Sequence, residues 1–166
     1  MIFEGKVHIF GDSISADHII STQHINKVGT IKEMLPYFFE EQRKDFYKQI
    51  SPGDILLAGE NFGAGSSREH APLLVKESGL SCIVARSFGR NFFRNAINLG
   101  IPLVEVAWDE IEEGQHLIVY FSQGKMEVCE TGKSFSFNNL PPIMEKIFLA
   151  GGLVNYFKQT KSLQLI

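Results

Sequence analysis

Asp54-Ile55-Leu56-Leu57-Ala58-Gly59 is a short apolar run that ends in glycine. It leads into Glu60-Asn61-Phe62-Gly63-Ala64-Gly65-Ser66-Ser67-Arg68-Glu69-His70-Ala71-Pro72. The first stretch reads as a strand, and the second as a glycine-rich loop opening a helix that reaches Ser78-Gly79. Cys82-Ile83-Val84-Ala85 reads as the next strand, residues 88–99 as a helix and residues 101–106 as a further strand. This strand-loop-helix-strand-helix-strand order predicts an α/β layer with parallel pairing. Upstream, Val7-His8-Ile9-Phe10 reads as a short strand that ends at Gly11-Asp12. Residues 30–42 place Ile31, Met34, Leu35, Phe38 and Phe39 at helical spacing, and Thr30 with Glu33 matches a capping box. Pro36 inside that stretch predicts a kink or two short pieces. Downstream, residues 116–121 and 126–129 flank Ser122-Gln123-Gly124-Lys125, a hairpin signal. A final helix is expected from Pro141 towards Lys158, bent or interrupted at Gly151-Gly152. The expectation is an α/β fold in one domain, residues 1–166, with a mixed sheet and flanking helices.

A length of 166 residues and 44% hydrophobic residues suit one core that needs no disulfide or metal staple. The formal net charge of -3 leaves no basic surplus for nucleic acid, so an anionic ligand must be captured by a few local groups. No apolar run approaches the ~20 residues of a membrane span. The N-terminus shows no basic segment followed by a long apolar one, so no signal peptide is read. The two cysteines, Cys82 and Cys129, lie far apart with no CxxC, and a sparse free pair fits a reducing cytoplasm. Two thiolates cannot hold a four-thiolate cluster, and His24 and His116 have no metal-ligand spacing with them, so no metal is expected on this chain. Cys82 reads as a buried strand cysteine, and His8 as a hydrogen-bonded packing residue within its apolar strand. Arg86, Arg90 and Arg94 recur at helix-like intervals and read as a solvated or partner-facing edge.

The glycine loop sits between a strand and a helix, where α/β proteins bind ligands. Gly63 and Gly65 permit unusual backbone angles and leave room beside the chain. Ser66 and Ser67 offer hydroxyls next to backbone N–H groups, and Arg68 can grip a carboxylate with two parallel hydrogen bonds. Ser66-x-x-Glu69 is also a capping box, so Ser66 reads equally as a helix cap. Pro72 offers another start for that helix, leaving residues 66–70 as loop. A second polar segment, Gly11-Asp12-Ser13-Ile14-Ser15-Ala16-Asp17-His18-Ile19-Ile20, follows the first strand. Asp17 and His18 there read either as substrate-orienting groups or as solvated loop residues.

At these two segments the sequence resembles the aconitase superfamily, specifically the small subunits of the two-subunit isopropylmalate and homoaconitate dehydratases. Residues 59–72 are similar to that family's glycine-rich serine loop, and residues 11–19 to the loop after the domain's first strand. Ile83-Val84-Ala85-Arg86-Ser87-Phe88, residues 95–103 and Ala150-Gly151-Gly152-Leu153-Val154 extend the likeness over nearly the whole chain. The resemblance implies a single swivelling β/β/α domain that caps a larger partner. That large subunit would carry three cysteines and a 4Fe–4S cluster, which this chain alone does not bind. The activity implied is that of a hydro-lyase, dehydrating and rehydrating a small hydroxy di- or tricarboxylic acid, active only with the large subunit. Ser66 falls on the serine that acts as base on the substrate carbon, Ser67 and Arg68 on substrate-binding groups, and Asp17 on an active-site aspartate. A serine base is coherent only where N–H donors and a positive charge hold its alkoxide, and the glycine loop with Arg68 supplies both.

The resemblance points first to 3-isopropylmalate, and so to leucine biosynthesis in the cytoplasm. Homoaconitate or a methylated malate is the alternative substrate, and a non-catalytic anion-binding regulatory domain the alternative of another class. After Ile20 that branch has a proline and an arginine before an aromatic, whereas here stand Ser21, Gln23 and His24. His24, Ile25, Asn26 and Lys27 fall where the branch selects the substrate's side group. They match neither an isopropylmalate pattern nor one with an arginine for an extra carboxylate. Lys27 reads either as a partner for a distal carboxylate or as a surface lysine.

Overall fold

The computed structural model describes residues 1–65 and 69–161. Its centre is built from the strands that read as unbroken apolar runs, β2 (Ile55–Ala58) and β3 (Cys82–Ala85), every residue of which is buried. Such runs arise where a parallel strand is covered on both faces. Ile55, Leu57, Cys82 and Val84 point into one apolar cluster, while Leu56, Ala58, Ile83 and Ala85 point into the other. The period of two along each strand thus supplies two cores rather than one.

β1 (Ile2–Ile9) lies beside β2, and the full sheet adds β4 (Leu103–Glu105), β5 (His116–Tyr120), β6 (Lys125–Val128) and β7 (Ser134–Ser136). The order across it is β4-β3-β2-β1-β5-β6-β7. β1 joins two styles of pairing. Its residues 7–9 run parallel to β2, and its residues 2–6 run antiparallel to β5. The β2–β3 and β3–β4 pairs are parallel, whereas β5–β6 and β6–β7 are antiparallel. The expected mixed sheet is therefore one sheet with a parallel half and a meander half. The β5–β6 hairpin closes through Phe121–Gln123 and Gly124, the latter at φ +62°.

Helices cover both faces: α1 (Ala16–Ile19), α2 (Thr22–Ile25), α3 (Ile31–Met34), α4 (His70–Glu77), α5 (Arg90–Leu99), α6 (Pro142–Leu149) and α7 (Leu153–Thr160). α4 buries Leu74 and Val75 in the first cluster, and α6 buries Ile147 and Phe148 in the second. The Thr30–Glu33 capping box forms with both of its hydrogen bonds, but the helix stops at Met34. A 3-10 turn, Leu35–Tyr37, follows because Pro36 cannot continue the α-helical bonding. Met34, Phe38 and Phe39 are nevertheless buried, so the spacing marked these core residues correctly while overstating the helix; Phe46 joins them, with Phe39 and Phe46 packed on Phe10. Arg86 is not on a helix. It lies after β3, its guanidinium over the Trp108 ring at 4.7 Å and donating to the Trp108 carbonyl at 2.8 Å. Among the described residues no helix is long and apolar enough to cross a membrane.

The buried strand histidine anchors the long connection between β1 and β2. His8 Nε2 lies 2.8 Å from Asp54 Oδ2, and Nδ1 lies 3.3 Å from Glu113 Oε1. Arg43 donates to both Glu113 oxygens and to the Ile9 carbonyl, while its guanidinium lies 4.9 Å from the centre of the Phe10 ring. This network ties the aromatic segment around Phe46 to the sheet.

Candidate active site

Three loops leave the carboxyl ends of the parallel strands β1, β2 and β3, and backbone hydrogen bonds join them into one platform. This is the edge of an α/β sheet where ligands bind. Ser13 N–H donates to the Glu60 carbonyl at 2.7 Å, Gly63 N–H to the Ile14 carbonyl at 2.6 Å, and Ala16 N–H to the Ala64 carbonyl at 2.9 Å. On the other side, Phe62 N–H donates to the Ser87 carbonyl at 2.9 Å and Gly89 N–H to the Phe62 carbonyl at 2.8 Å. Side chains add to this. Asp12 Oδ1 accepts from Glu60 N–H at 2.8 Å, and Ser87 Oγ accepts from Asn61 N–H at 2.8 Å while donating to the Glu60 carboxylate.

The two loop glycines are needed for different reasons. Gly63 has φ +77°, and a Cβ there would collide with the Phe92 ring, so this glycine lets α5 pack against the loop. Gly65 has φ +95°, and among the described residues nothing lies within 4 Å of a built Cβ, so what they show of its requirement is conformational. Ser13 and Asn61 also sit in the left-handed region, at φ +56° and +59°. Non-glycine residues there carry backbone strain, which gathers at functional loops.

Ser66, Ser67 and Arg68 lie outside the described residues. The helix that follows begins at His70 with Glu69 at the N-cap position and no side-chain cap bond. Its N-cap therefore comes three residues after Ser66, and Pro72 falls within its first turn rather than at its start.

Asp17 lies on α1, exposed, with Oδ1 at 3.4 Å from Thr22 Oγ1. The Ala16–Ala64 bond holds this helix against the glycine loop. His18 has a structural role: it closes a capping box with Ser15, through Ser15 N–H to His18 Nδ1 at 3.1 Å and His18 N–H to Ser15 Oγ at 3.3 Å. Residues 24–27 divide by orientation. His24 stacks on Tyr37 at 4.1 Å, and Ile25 packs against the first core cluster. Asn26 and Lys27 are exposed at the end of α2.

Sequence reasoning missed two groups that flank the platform. Among the described residues Ser21 Oγ and His70 Nδ1 are the buried side-chain polar atoms without a hydrogen-bond partner. Orphaned buried polar atoms are uncommon, and functional sites are where they gather. His70 stood within the quoted loop and Ser21 beside the specificity segment, but no residue pattern marks a buried orphan. The thiols do not fit an iron–sulfur cluster. Cys82 is fully buried in β3, where burial pushes its thiol up, and Cys129 is exposed after β6, with three strands between them. Among the described residues no group of three or more His, Cys, Asp or Glu side chains could hold a metal ion.

The sequence pattern of the aconitase C-terminal domain matches residues 16–107, which begin at the Asp17 helix and take in the glycine loop and the loop after β3. The chain is 42% identical over 159 residues to 3-isopropylmalate dehydratase small subunit 1 of Thermotoga maritima, covering 95% of this chain and 96% of that one. It is 41% identical over 163 residues to the 3-isopropylmalate dehydratase small subunit of Clostridioides difficile, covering 97% and 99%. The crystal structure of a 3-isopropylmalate dehydratase from Methanocaldococcus jannaschii superposes with a TM-score of 0.90 at 34% identity, covering 97% and 96% of the two chains. This chain belongs to the aconitase C-terminal domain family, among the small subunits of the 3-isopropylmalate dehydratases.

Proposed function

We propose that this chain is the small subunit of a 3-isopropylmalate dehydratase-type hydro-lyase, which dehydrates and rehydrates a 2-hydroxy dicarboxylic acid in leucine biosynthesis. The observation that carries the reading is the platform itself. The Ala16–Ala64 bond sets the Asp17 helix against the loop that leads into Ser66, in a chain whose relatives over almost all of its length bear that enzyme's name.

In this reading residues 1–166 act as one swivelling unit over a large subunit in the cytoplasm. The large subunit carries a 4Fe–4S cluster, which supplies Lewis-acid chemistry at the departing hydroxyl. No residue of this chain is assigned to that half. Ser66 removes and returns the proton on the substrate carbon, and its alkoxide needs the positive charge of Arg68 and nearby N–H donors. Ser67, Arg68 and Asp17 hold the substrate's carboxylates and hydroxyl, and the exposed pair Asn26 and Lys27 meets the group that differs between substrates. His24 and Ile25 set the position of that pair from beneath.

The test is to co-produce the chain with its large subunit and assay 3-isopropylmalate, a homoaconitate-type tricarboxylate and a methylated malate. Highest kcat/KM on 3-isopropylmalate is expected. A preference for either of the others would reassign the substrate, and no turnover on any would leave an anion-binding domain.

A further inference from the structure

Beside the platform lies an open cavity of about 560 Å³ lined by Phe88, Arg90, Asn91, Phe93, Arg94 and Glu105. Phe88 belongs to the same β3 loop that bonds to the glycine loop, and it pairs with Phe62 in a short parallel bridge. A surface that covers the platform on this side therefore runs on over the cavity.

The charges around the cavity are unfavourable in the chain alone. Arg90 and Arg94 stand one helical turn apart, so they share a face of α5 and repel each other. Arg90 opens the first turn, where the dipole already presents positive charge. The first turn holds no acidic residue, and the Gly89 N-cap offers no side chain to its N–H groups. Among the described residues the Arg90 side chain forms no hydrogen bond or ion pair, and the Arg94 guanidinium donates only to Asn91 Oδ1, at 2.9 Å. Glu105 lines the cavity without pairing with either arginine. Phe88 and Phe93 give it a half-buried aromatic floor.

We infer that this cavity is a docking site for the large subunit, which inserts an acidic side chain between Arg90 and Arg94 and an apolar one against Phe88 and Phe93. The inference rests on the two-subunit reading above. A carboxylate there removes the repulsion between the arginines and satisfies the helix end. The apolar neighbour fills space that a small free anion leaves empty. A chain of net charge -3 with two arginines at this spot does not present a nucleic-acid surface.

The test uses the chain with its large subunit and compares the wild type with Arg90→Glu/Arg94→Glu. The double variant should weaken assembly about 10- to 100-fold at low salt and flatten its salt dependence. Its kcat at saturating large subunit should stay at the wild-type value. The isolated double-variant chain should melt close to the wild-type temperature, because both positions are exposed on α5 and glutamate at residue 90 suits a first helical turn. That outcome separates lost docking from lost folding. An assembly constant within about twofold of the wild type overturns the inference. A raised KM with unchanged assembly overturns it in favour of a substrate site. Loss of self-association by the isolated chain alone overturns it in favour of a second copy. Wild-type assembly without turnover leaves the docking site standing and sinks only the proposed activity. A wild-type chain that does not bind the large subunit sinks both.

Discussion

The Ala16 amide donates to the Ala64 carbonyl at 2.9 Å, joining two loops that are nearly fifty residues apart in the chain. One carries Asp17 and the other leads into Ser66, so the position of each depends on the other's backbone. Changes that shift the glycine loop should therefore act on residues of the first loop as well.

Gly63 and Gly65 should respond differently to alanine. Gly63→Ala combines a left-handed angle with a collision against Phe92 and should cost about 3 kcal/mol or more. Gly65→Ala meets no neighbour among the described residues and should cost about 1–2 kcal/mol from backbone conformation. Urea unfolding of both variants measures the gap. Equal losses would mean that contact with Phe92 does not limit the loop.

Ser66→Ala should lower kcat of the assembled enzyme by roughly 10²- to 10⁴-fold with little change in KM. Its stability should stay close to that of the wild type, because the N-cap position of the helix is Glu69, three residues beyond Ser66. A stability loss of about 1 kcal/mol with normal turnover would instead mark Ser66 as a cap.

Arg68→Lys keeps the charge but loses the planar fork, so kcat/KM should fall for every substrate alike. Exchanges at Asn26 or Lys27 should change the ratio between an apolar-branched and a tricarboxylic substrate, by an amount equivalent to about 1–3 kcal/mol. His24→Ala should act through stability, losing about 1 kcal/mol with its stack on Tyr37. A ratio that moves with Arg68→Lys and not with the 26–27 exchanges would reverse the assignment.

Glu113 predicts a pH dependence of stability. Burial would raise its carboxyl, but hydrogen bonds from Arg43 and the Ile9 N–H, and the charges of Arg43 and His8, outweigh this and hold it below the usual carboxylate range. The folded state thus binds its proton less readily than the unfolded state. The stabilisation is complete above the ordinary glutamate value of about 4.3 and is lost as pH falls through the lower folded value. Glu113 is partly exposed, so Glu113→Gln should cost no more than about 1 kcal/mol at pH 7. The variant and the wild type should converge in acid. Melting curves from pH 3 to 7 that stay parallel would remove Glu113 from the acid response.

Much of the fold was legible because the parallel core writes itself locally. A strand buried on both faces must be apolar at every position, and Cys82–Ala85 and its neighbour could be read as strands without knowing what covers them. The Thr30–Glu33 cap was equally local. The stop at Met34 was not, because helical spacing and a turn folded into an aromatic core place phenylalanines at similar intervals. Arg86 misled for the same reason: spacing joined it to Arg90 and Arg94, but the strand ends before α5 begins, and Trp108 takes its charge.

By itself the sequence determined the alternation of strands and helices and the composition of the two loops, since periodicity, glycine and capping act over a few residues. Only the tertiary structure decided that these loops share one platform, and that Asn26 and Lys27 face outward while His24 and Ile25 do not. It also decided that His8 stands between two carboxylates and that Arg90 has no side-chain partner among the described residues. Each of these depends on which backbone comes to lie against which, over separations of tens of residues, and no local pattern of side chains encodes that.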